Sequence, residues 1–167
     1  HNGAGTIAGA TTLTPIYTAA AGDAGKAIVL TMTVTSNNTC GTATATYTVN
    51  VDALPTAVAG GSTTICSTST ATVNGASATN RTISWTHNGA GTIAGATTLT
   101  PTYTAASGDS GKAIVLTMTV TSNNTCGTAK ATATYTVNVE ALPMASISGT
   151  TTVCKDESAP QITFTGA

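Results

Sequence analysis

The sequence predicts an all-β chain made of tandem β-sandwich domains. Residues 87–126 nearly duplicate residues 1–40, and only three positions differ between the two copies: Ile16/Thr102, Ala21/Ser107 and Ala24/Ser110. The offset of 86 residues (87 − 1) is the size of a small domain rather than of a solenoid turn. Threonine and valine, both β-branched and suited to pleated sheet, recur throughout, and long stretches alternate apolar and polar residues with period two.

Two Leu-Pro pairs, Leu54-Pro55 and Leu142-Pro143, mark equivalent domain boundaries. We therefore expect residues 1–53 to be the C-terminal part of a first domain, residues 54–141 to be a complete domain, and residues 142–167 to begin a third. Lys155–Pro160 departs from the corresponding Ser67–Ala71, which predicts that the third domain is of a divergent type.

Seven or so short strands at this spacing predict an immunoglobulin-like sandwich. In the complete domain the expected strands are Thr56–Ile65, Ala71–Asn74, Arg81–Thr86, Ile93–Ala94, Leu99–Tyr103, Lys112–Ser122 and a last strand that contains Tyr135. Pro101 confines its strand to a sheet edge or to a strand start, since proline cannot donate to the ladder.

One face of these strands is expected to form the core, because side chains alternate between the two faces of a strand. The predicted core residues are Ile83, Trp85, Ile114, Leu116, Met118, Val120, Tyr135 and Val137. The second copy has two extra residues after its cysteine, and an insertion of two keeps every inward residue inward. This favours a real half-buried strand over low-complexity sequence.

The composition excludes several classes of function. Only 7% of residues are charged and the net charge is −1, so we expect no nucleic-acid partner and no anionic membrane surface. No apolar run is long enough for a membrane span. Acidic residues are few and unclustered, which argues against a calcium loop or a catalytic carboxylate pair, and the cysteine spacing argues against zinc. We expect no cofactor.

Four cysteines, Cys40, Cys66, Cys126 and Cys154, are candidates for disulfides, because a threonine-rich, lysine-poor repetitive chain is extracellular in style. Cys66 and Cys126 both fall in the complete domain, but a sandwich topology places them at opposite poles, too far apart to bond. Two alternatives remain. Either the first strand is broken so that the ends meet, or a bridge links neighbouring domains.

Gly108–Gly111, with the sequence GDSG, resembles the nucleophile loop of trypsin-like proteases. The other copy, Gly22–Gly25, carries Ala24 in place of Ser110, and no His/Asp pair is evident. We therefore expect a polar turn and no enzyme. His1 and His87 are singletons, expected in loops rather than as ligands.

Rows of threonine side chains are the surface feature that could serve a binding function. The residues Thr31, Thr33, Thr35, Thr44, Thr46 and Thr48 are expected to present rows of methyl and hydroxyl groups. Such an uncharged face suits lateral self-association into fibres, and more remotely ice binding, which needs a large, regular and flat face. Asn37, Asn80 and Asn123 each begin an N-x-T glycosylation pattern.

Several segments together resemble the Ig-like or PKD-like tandem repeats of giant Bacteroidota cell-surface proteins, including gliding-motility adhesins of the SprB type. The segments are Thr64–Ser67, Ala71–Gly75, Tyr103–Ala106, Ala113–Thr119, Asn124–Gly127, Val153-Cys154 and Pro160–Gly166. The resemblance implies export by the type IX secretion system and a location at the cell surface, and it implies no catalytic residue.

The expected function is therefore a structural stalk or filament segment of a large extracellular adhesin, with neighbouring repeats as its partners. The alternative is a glycan- or surface-binding immunoglobulin-like module that uses loops such as Gly89–Gly95. That reading requires exposed aromatic side chains, and only 4% of the residues are aromatic.

Overall fold

The computed structural model describes residues 1–162 and 164–166, the last two by their backbone alone, and within that part the chain is all-β. The strands are β1 (Thr6–Ala8), β2 (Ile16–Thr18), β3 (Lys26–Thr35), β4 (Thr42–Val51), β5 (Thr56–Val58), β6 (Ser62–Cys66), β7 (Thr70–Thr72), β8 (Ser77–Thr79), β9 (Arg81–His87), β10 (Thr92–Ala94), β11 (Thr102–Thr104), β12 (Lys112–Ser122), β13 (Lys130–Glu140), β14 (Ala145–Ser146) and β15 (Thr165–Gly166). Two 3₁₀ turns, Ala21–Asp23 and Ser107–Asp109, precede β3 and β12.

Residues 54–141 form two main sheets. One has four strands in the order β6-β13-β12-β9, and the other has three in the order β10-β11-β7. Neighbouring strands are antiparallel except β6, which runs parallel to β13. Strands β5 and β8 form a separate antiparallel pair.

The strand expected over Thr56–Ile65 is broken, so that prediction was wrong. Its first part, β5, pairs with β8, whereas its second part, β6, joins the edge of the four-stranded sheet. Gly60 and Gly61 separate the two, and Gly61 has φ of 127°, a conformation that residues with a Cβ rarely adopt. The strand expected from Leu99 begins only at Thr102, because Pro101 has no N–H to donate.

The two main sheets share one buried cluster and therefore pack as a sandwich. All eight side chains expected in the core are buried there: Ile83, Trp85, Ile114, Leu116, Met118, Val120, Tyr135 and Val137. The three-stranded sheet contributes Ala71 and Tyr103 from its inner face. The indole N–H of Trp85 donates to the carbonyl of Thr98 at 2.9 Å, which satisfies its polar atom inside the core.

Residues 1–53 repeat the second half of this sandwich. Strands β3 and β4 pair in the same register as β12 and β13, with Leu30 opposite Tyr47 as Leu116 is opposite Tyr135. No counterparts of β5–β9 occur in these residues. Tyr47 is 71% exposed, whereas its counterpart Tyr135 is 8% exposed.

The described part of residues 142–166 repeats the first half. Ala145 pairs with Gly166 in β14–β15, just as Ala57 pairs with Ala78 in β5–β8, 88 residues earlier at each position. The backbone conformation is also repeated, since Gly149 (φ 120°) and Asp156 (φ 71°) stand where the complete unit has Gly61 and Thr68 (φ 66°). At these positions residues 142–166 therefore have the same backbone pairing and conformation as residues 54–78, although their sequences differ.

Candidate functional site

A buried carboxylate organises the loops at one end of the complete unit. Asp109 is fully buried and accepts hydrogen bonds from the backbone N–H of Ala90 (2.6 Å), the backbone N–H of Ala106 (2.9 Å) and the hydroxyl of Tyr103 (2.7 Å). The N–H of Gly91 donates to the same tyrosine oxygen at 3.0 Å. The 87–91 loop is therefore fixed to the 3₁₀ turn that precedes β12.

Two glycines allow this close approach. A Cβ added at Gly89 would lie 2.1 Å from the Tyr103 hydroxyl, and one at Gly91 would lie 2.1 Å from the carbonyl oxygen of Thr104. The backbone N–H groups of this loop donate to the Asp109 carboxylate and to the Tyr103 hydroxyl. The Gly89–Gly95 loop that the binding alternative relies on is thus at least partly structural.

The protonation states at this cluster are fixed at neutral pH. Burial alone would raise the pKa of Asp109, but the hydrogen bonds from Ala90, Ala106 and Tyr103 outweigh it and hold that pKa below its ordinary value. Burial and the bond to Asp109 raise the pKa of Tyr103. An ionised acceptor paired with a protonated phenol stabilises the loop, and the pKa values of these two groups are shifted away from pH 7 in opposite directions.

The same network recurs in residues 1–53. Asp23 accepts from the N–H of Ala4 (2.6 Å), the N–H of Ala20 (2.9 Å) and the hydroxyl of Tyr17 (2.6 Å). The Tyr17 bond and these backbone donors lower the pKa of Asp23 to about 2. The network therefore forms without any counterpart of β5–β9.

The protease-like GDSG motif is explained by this turn. Its aspartate is the buried acceptor, whereas Ser110 is exposed at the end of the 3₁₀ turn. The sequence could have shown this, because the aspartate is kept in both copies while the serine is replaced by Ala24. Sequence reasoning treated the whole motif as a polar turn and missed the buried aspartate.

His87 packs edge-on against the ring of Tyr103, with centroids 5.1 Å apart. Its Nδ1 is buried and has no hydrogen-bond partner. Within the described residues no group of three His, Cys, Asp or Glu side chains could hold a metal ion. His87 is accordingly placed as a packing residue at the end of β9.

The linker before the complete unit is hydrogen-bonded to that unit. The Asp52 carboxylate accepts from the backbone N–H of Thr125 (3.0 Å) and from its hydroxyl. The Nδ2 of Asn124 donates to the carbonyl of Ala53 at 2.8 Å, and the Nδ2 of Asn80 donates to the same carbonyl at 3.2 Å. We call these contacts the linker latch. No sequence motif pointed to it.

The four cysteines are free thiols in this structure. Cys66 ends β6 opposite Glu140, the last residue of β13, whereas Cys126 lies in the hairpin before Lys130, the first. The eleven residues of β13 separate the positions of the two cysteines along the sheet by about 35 Å, far beyond the reach of a disulfide. The first strand is broken, as one alternative required, yet its break does not bring the two cysteines together.

The threonine ladders lie on the outer face of the sheets. Thr31, Thr33 and Thr35 on β3 and Thr44, Thr46 and Thr48 on β4 are all exposed. In the complete unit one row joins Thr86, Thr117 and Thr134 across three strands. Neighbouring strands normally rotate by about 20–25°, which works against the flat face that ice binding needs.

Comparisons with known proteins give no family. No family model matches the chain, and no curated protein matches it. One similar solved structure is a nucleoside hydrolase-related hypothetical protein from Saccharophagus degradans that is associated with carbohydrate metabolism. It is 19% identical with a TM-score of 0.46, and the match covers 55% of this chain and 26% of that one, so the chain spans about a quarter of its length. Among the described residues, no helix is long and apolar enough to cross a membrane.

Proposed function

We propose that the chain is a segment of an extracellular stalk or surface filament, built from immunoglobulin-like sandwich units and without catalysis. The observation that carries this proposal is the linker latch. The linker enters the complete unit at the hairpin pole, where Thr125 holds Asp52, and the chain leaves at the opposite end of β13, beyond Glu140. Units joined in this way extend end to end.

The strand order supports the immunoglobulin-like assignment. A four-stranded sheet whose edge strand β6 runs parallel to the last strand faces a three-stranded sheet, and the buried Trp85 lies on β9, in the sheet with the last two strands. An immunoglobulin-like sandwich is expected to have this arrangement, with a buried tryptophan in the sheet that holds the last two strands. The resemblance to cell-surface adhesin repeats supports a location outside the cell for the proposed stalk.

Small-angle X-ray scattering tests the stalk. A compact chain of 167 residues would have a radius of gyration of about 15 Å. We expect a clearly larger value at infinite dilution, with a maximum dimension that exceeds the length of one unit by more than half. A radius near the compact value would show that the units fold back on one another and would refute the proposal.

A further inference from the structure

The tripeptide Asn-Gly-Ala occurs three times in the chain, at residues 2–4, 74–76 and 88–90. An Asn-Gly unit is chemically labile, because the backbone nitrogen of the glycine can attack the carboxamide carbon of the asparagine and glycine has no Cβ to hinder the approach. The reaction needs the two atoms to come within about 3–3.5 Å of each other, so its rate depends on how freely the backbone moves. A difference in rate between identical tripeptides therefore reports mainly on the surrounding structure.

The tripeptide at residues 88–90 is held by the buried carboxylate network. The Oδ1 of Asn88 accepts from the backbone N–H of Val115 at 2.8 Å, which binds its carboxamide to β12. A Cβ at Gly89 would lie 2.1 Å from the Tyr103 hydroxyl, and the N–H of Ala90 donates to the buried carboxylate at 2.6 Å. Attack on the carboxamide of Asn88 therefore requires the loop to open first.

The tripeptide at residues 2–4 has the same contacts. The Oδ1 of Asn2 accepts from the backbone N–H of Val29 at 2.8 Å. A Cβ at Gly3 would lie 2.2 Å from the Tyr17 hydroxyl, and the N–H of Ala4 donates to the carboxylate of the second network at 2.6 Å. The chain thus contains two copies of one restrained Asn-Gly unit.

The tripeptide at residues 74–76 lies in the connection between β7 and β8, where Asn74 and Gly75 are both exposed. Among the described residues, no atom beyond the chain neighbours lies within 4 Å of a Cβ built at Gly75, whose φ is 78°. The Nδ2 of Asn74 donates to the carbonyl of Thr72, two residues earlier, at 3.3 Å. A bond this long and this local does not fix the carboxamide to another element, so the turn can move without breaking the core.

We propose that Asn74 is a site of spontaneous covalent modification in the folded protein, from which Asn2 and Asn88 are protected. The nitrogen of Gly75 bonds to Cγ of Asn74 while the Cγ–Nδ2 bond breaks, and the proton of the Gly75 N–H leaves with the amide nitrogen as ammonia. Water then opens the resulting succinimide ring at either of its two carbonyl carbons. The products are aspartate and isoaspartate at position 74, and water is the only co-reactant.

The turn can accept both products without loss of the fold. Each event adds one negative charge to a chain whose net charge is −1, and isoaspartate also lengthens the backbone by one carbon. The turn is open to solvent, whereas Val73 before it is 0% exposed and its N–H donates to the carbonyl of Pro101 at 3.0 Å. The modification should therefore accumulate in folded molecules. The inference does not depend on the proposed stalk function, because only this turn and water take part.

Incubation of the full chain in water enriched in heavy oxygen, at mildly alkaline pH, tests the site. The new carboxyl group takes its oxygen from water, so a labelled mass increase marks each event. Digestion in ordinary water, after lysine and arginine, places the three tripeptides on separate peptides, residues 1–26, 27–81 and 82–112. We expect label to enter the 27–81 peptide at least about tenfold faster than the other two, because their loops must open first, and fragmentation should locate it at position 74.

The substitution Asn74→Gln is the matched control. A glutamine side chain is one methylene longer and does not readily close the five-membered ring, so the variant should lose the label from residues 27–81 and keep the rates of the other two peptides. A second control uses the chain unfolded in guanidinium chloride. There the contacts of Asn2 and Asn88 are absent, and the three tripeptides should take up label at similar rates.

Three results would overturn the inference. Equal labelling of the 27–81 and 82–112 peptides in the folded protein would show that the contacts of Asn88 give no protection. A difference that persists in the unfolded chain would assign the selectivity to local sequence. Label that enters position 74 only as the circular dichroism signal is lost would mark unfolded molecules, whereas a labelled protein with an unchanged spectrum is the expected result.

Discussion

Asp109 places a negative charge in the interior of the complete unit, and four polar groups around it account for its position. Two backbone N–H groups and the Tyr103 hydroxyl donate to it, and the N–H of Gly91 holds that hydroxyl in turn. An isolated buried carboxylate would be strongly unfavourable, whereas one with this set of donors stabilises the loop that it organises.

We predict that Tyr103→Phe lowers the free energy of unfolding by about 1–3 kcal/mol, because it leaves the Gly91 N–H without its acceptor and removes one of the two hydrogen bonds to Oδ2 of the buried Asp109. Urea denaturation followed by tryptophan fluorescence measures the change, since Trp85 reports on the same core. Tyr47→Phe, at a residue that is 71% exposed, is the control and should shift the midpoint little. Equal effects of the two substitutions would contradict the assigned role.

The buried carboxylates also predict a pH dependence. The pKa of Asp23 is lowered from 3.8 to about 2, and that of Asp109 is lowered as well. A folded-state pKa below the ordinary value contributes stability that is present above about pH 4 and is lost as the pH falls toward 2. Thermal unfolding between pH 7 and pH 2 should show this loss. Asp109→Asn should unfold at a lower temperature at pH 7 and lose less on acidification, and Asp156→Asn, at an exposed position, should follow wild type.

Core residues could be predicted from the sequence, whereas this network could not. Period-two alternation places Leu116 and Met118 on one face because of strand geometry alone. The burial of Asp109 depends on the approach of the loop that contains Ala90, 19 residues earlier in the chain, and no local pattern encodes that approach. Only the comparison of copies contained the signal, since Asp23 and Asp109 agree where Ala24 and Ser110 differ.

At the scale of elements, long strands were predictable and the break at Gly60–Gly61 was not. Lys112–Ser122 forms one strand with the expected bounds, because its β-branched residues favour a strand and alternate with apolar residues from Leu116 to Thr121. Residues 56–65 have a similar strand propensity. The change of sheet between β5 and β6 depends instead on their pairing partners, β8 and β13, which are distant in sequence. The glycine pair was the available signal, since glycine within a strand pattern often marks a bend.

The linker latch gives a prediction at this scale. Asn124 and Asn38 both accept from a serine hydroxyl and a cysteine N–H within their hairpins, but only Asn124 also donates to a linker carbonyl, that of Ala53. Asn124→Ala should therefore loosen the linker as well as the hairpin, at a net cost of about 1 kcal/mol for the extra bond. Hydrogen exchange at the Thr125 amide should accelerate. Asn38→Ala, the matched control, should leave that amide protected as in wild type.

At the scale of the whole molecule, identical residues of the two copies meet different surroundings. The substitution Met118→Ala should destabilise the protein by about 2–5 kcal/mol, because it opens a cavity beneath a side chain that is 0% exposed. The same substitution at Met32, which is 53% exposed, removes little buried surface and should change stability by about 0.5 kcal/mol or less.

Urea denaturation at dilute, monomeric concentration provides the measurement. The neighbouring sequence is the same in both copies, so the two substitutions change the intrinsic strand propensity equally, and a difference between them reports on burial. Comparable losses at the two positions would mean that Met32 is also covered within a single molecule. A large difference between the two losses is the outcome expected from the full burial of Met118 and the exposure of Met32.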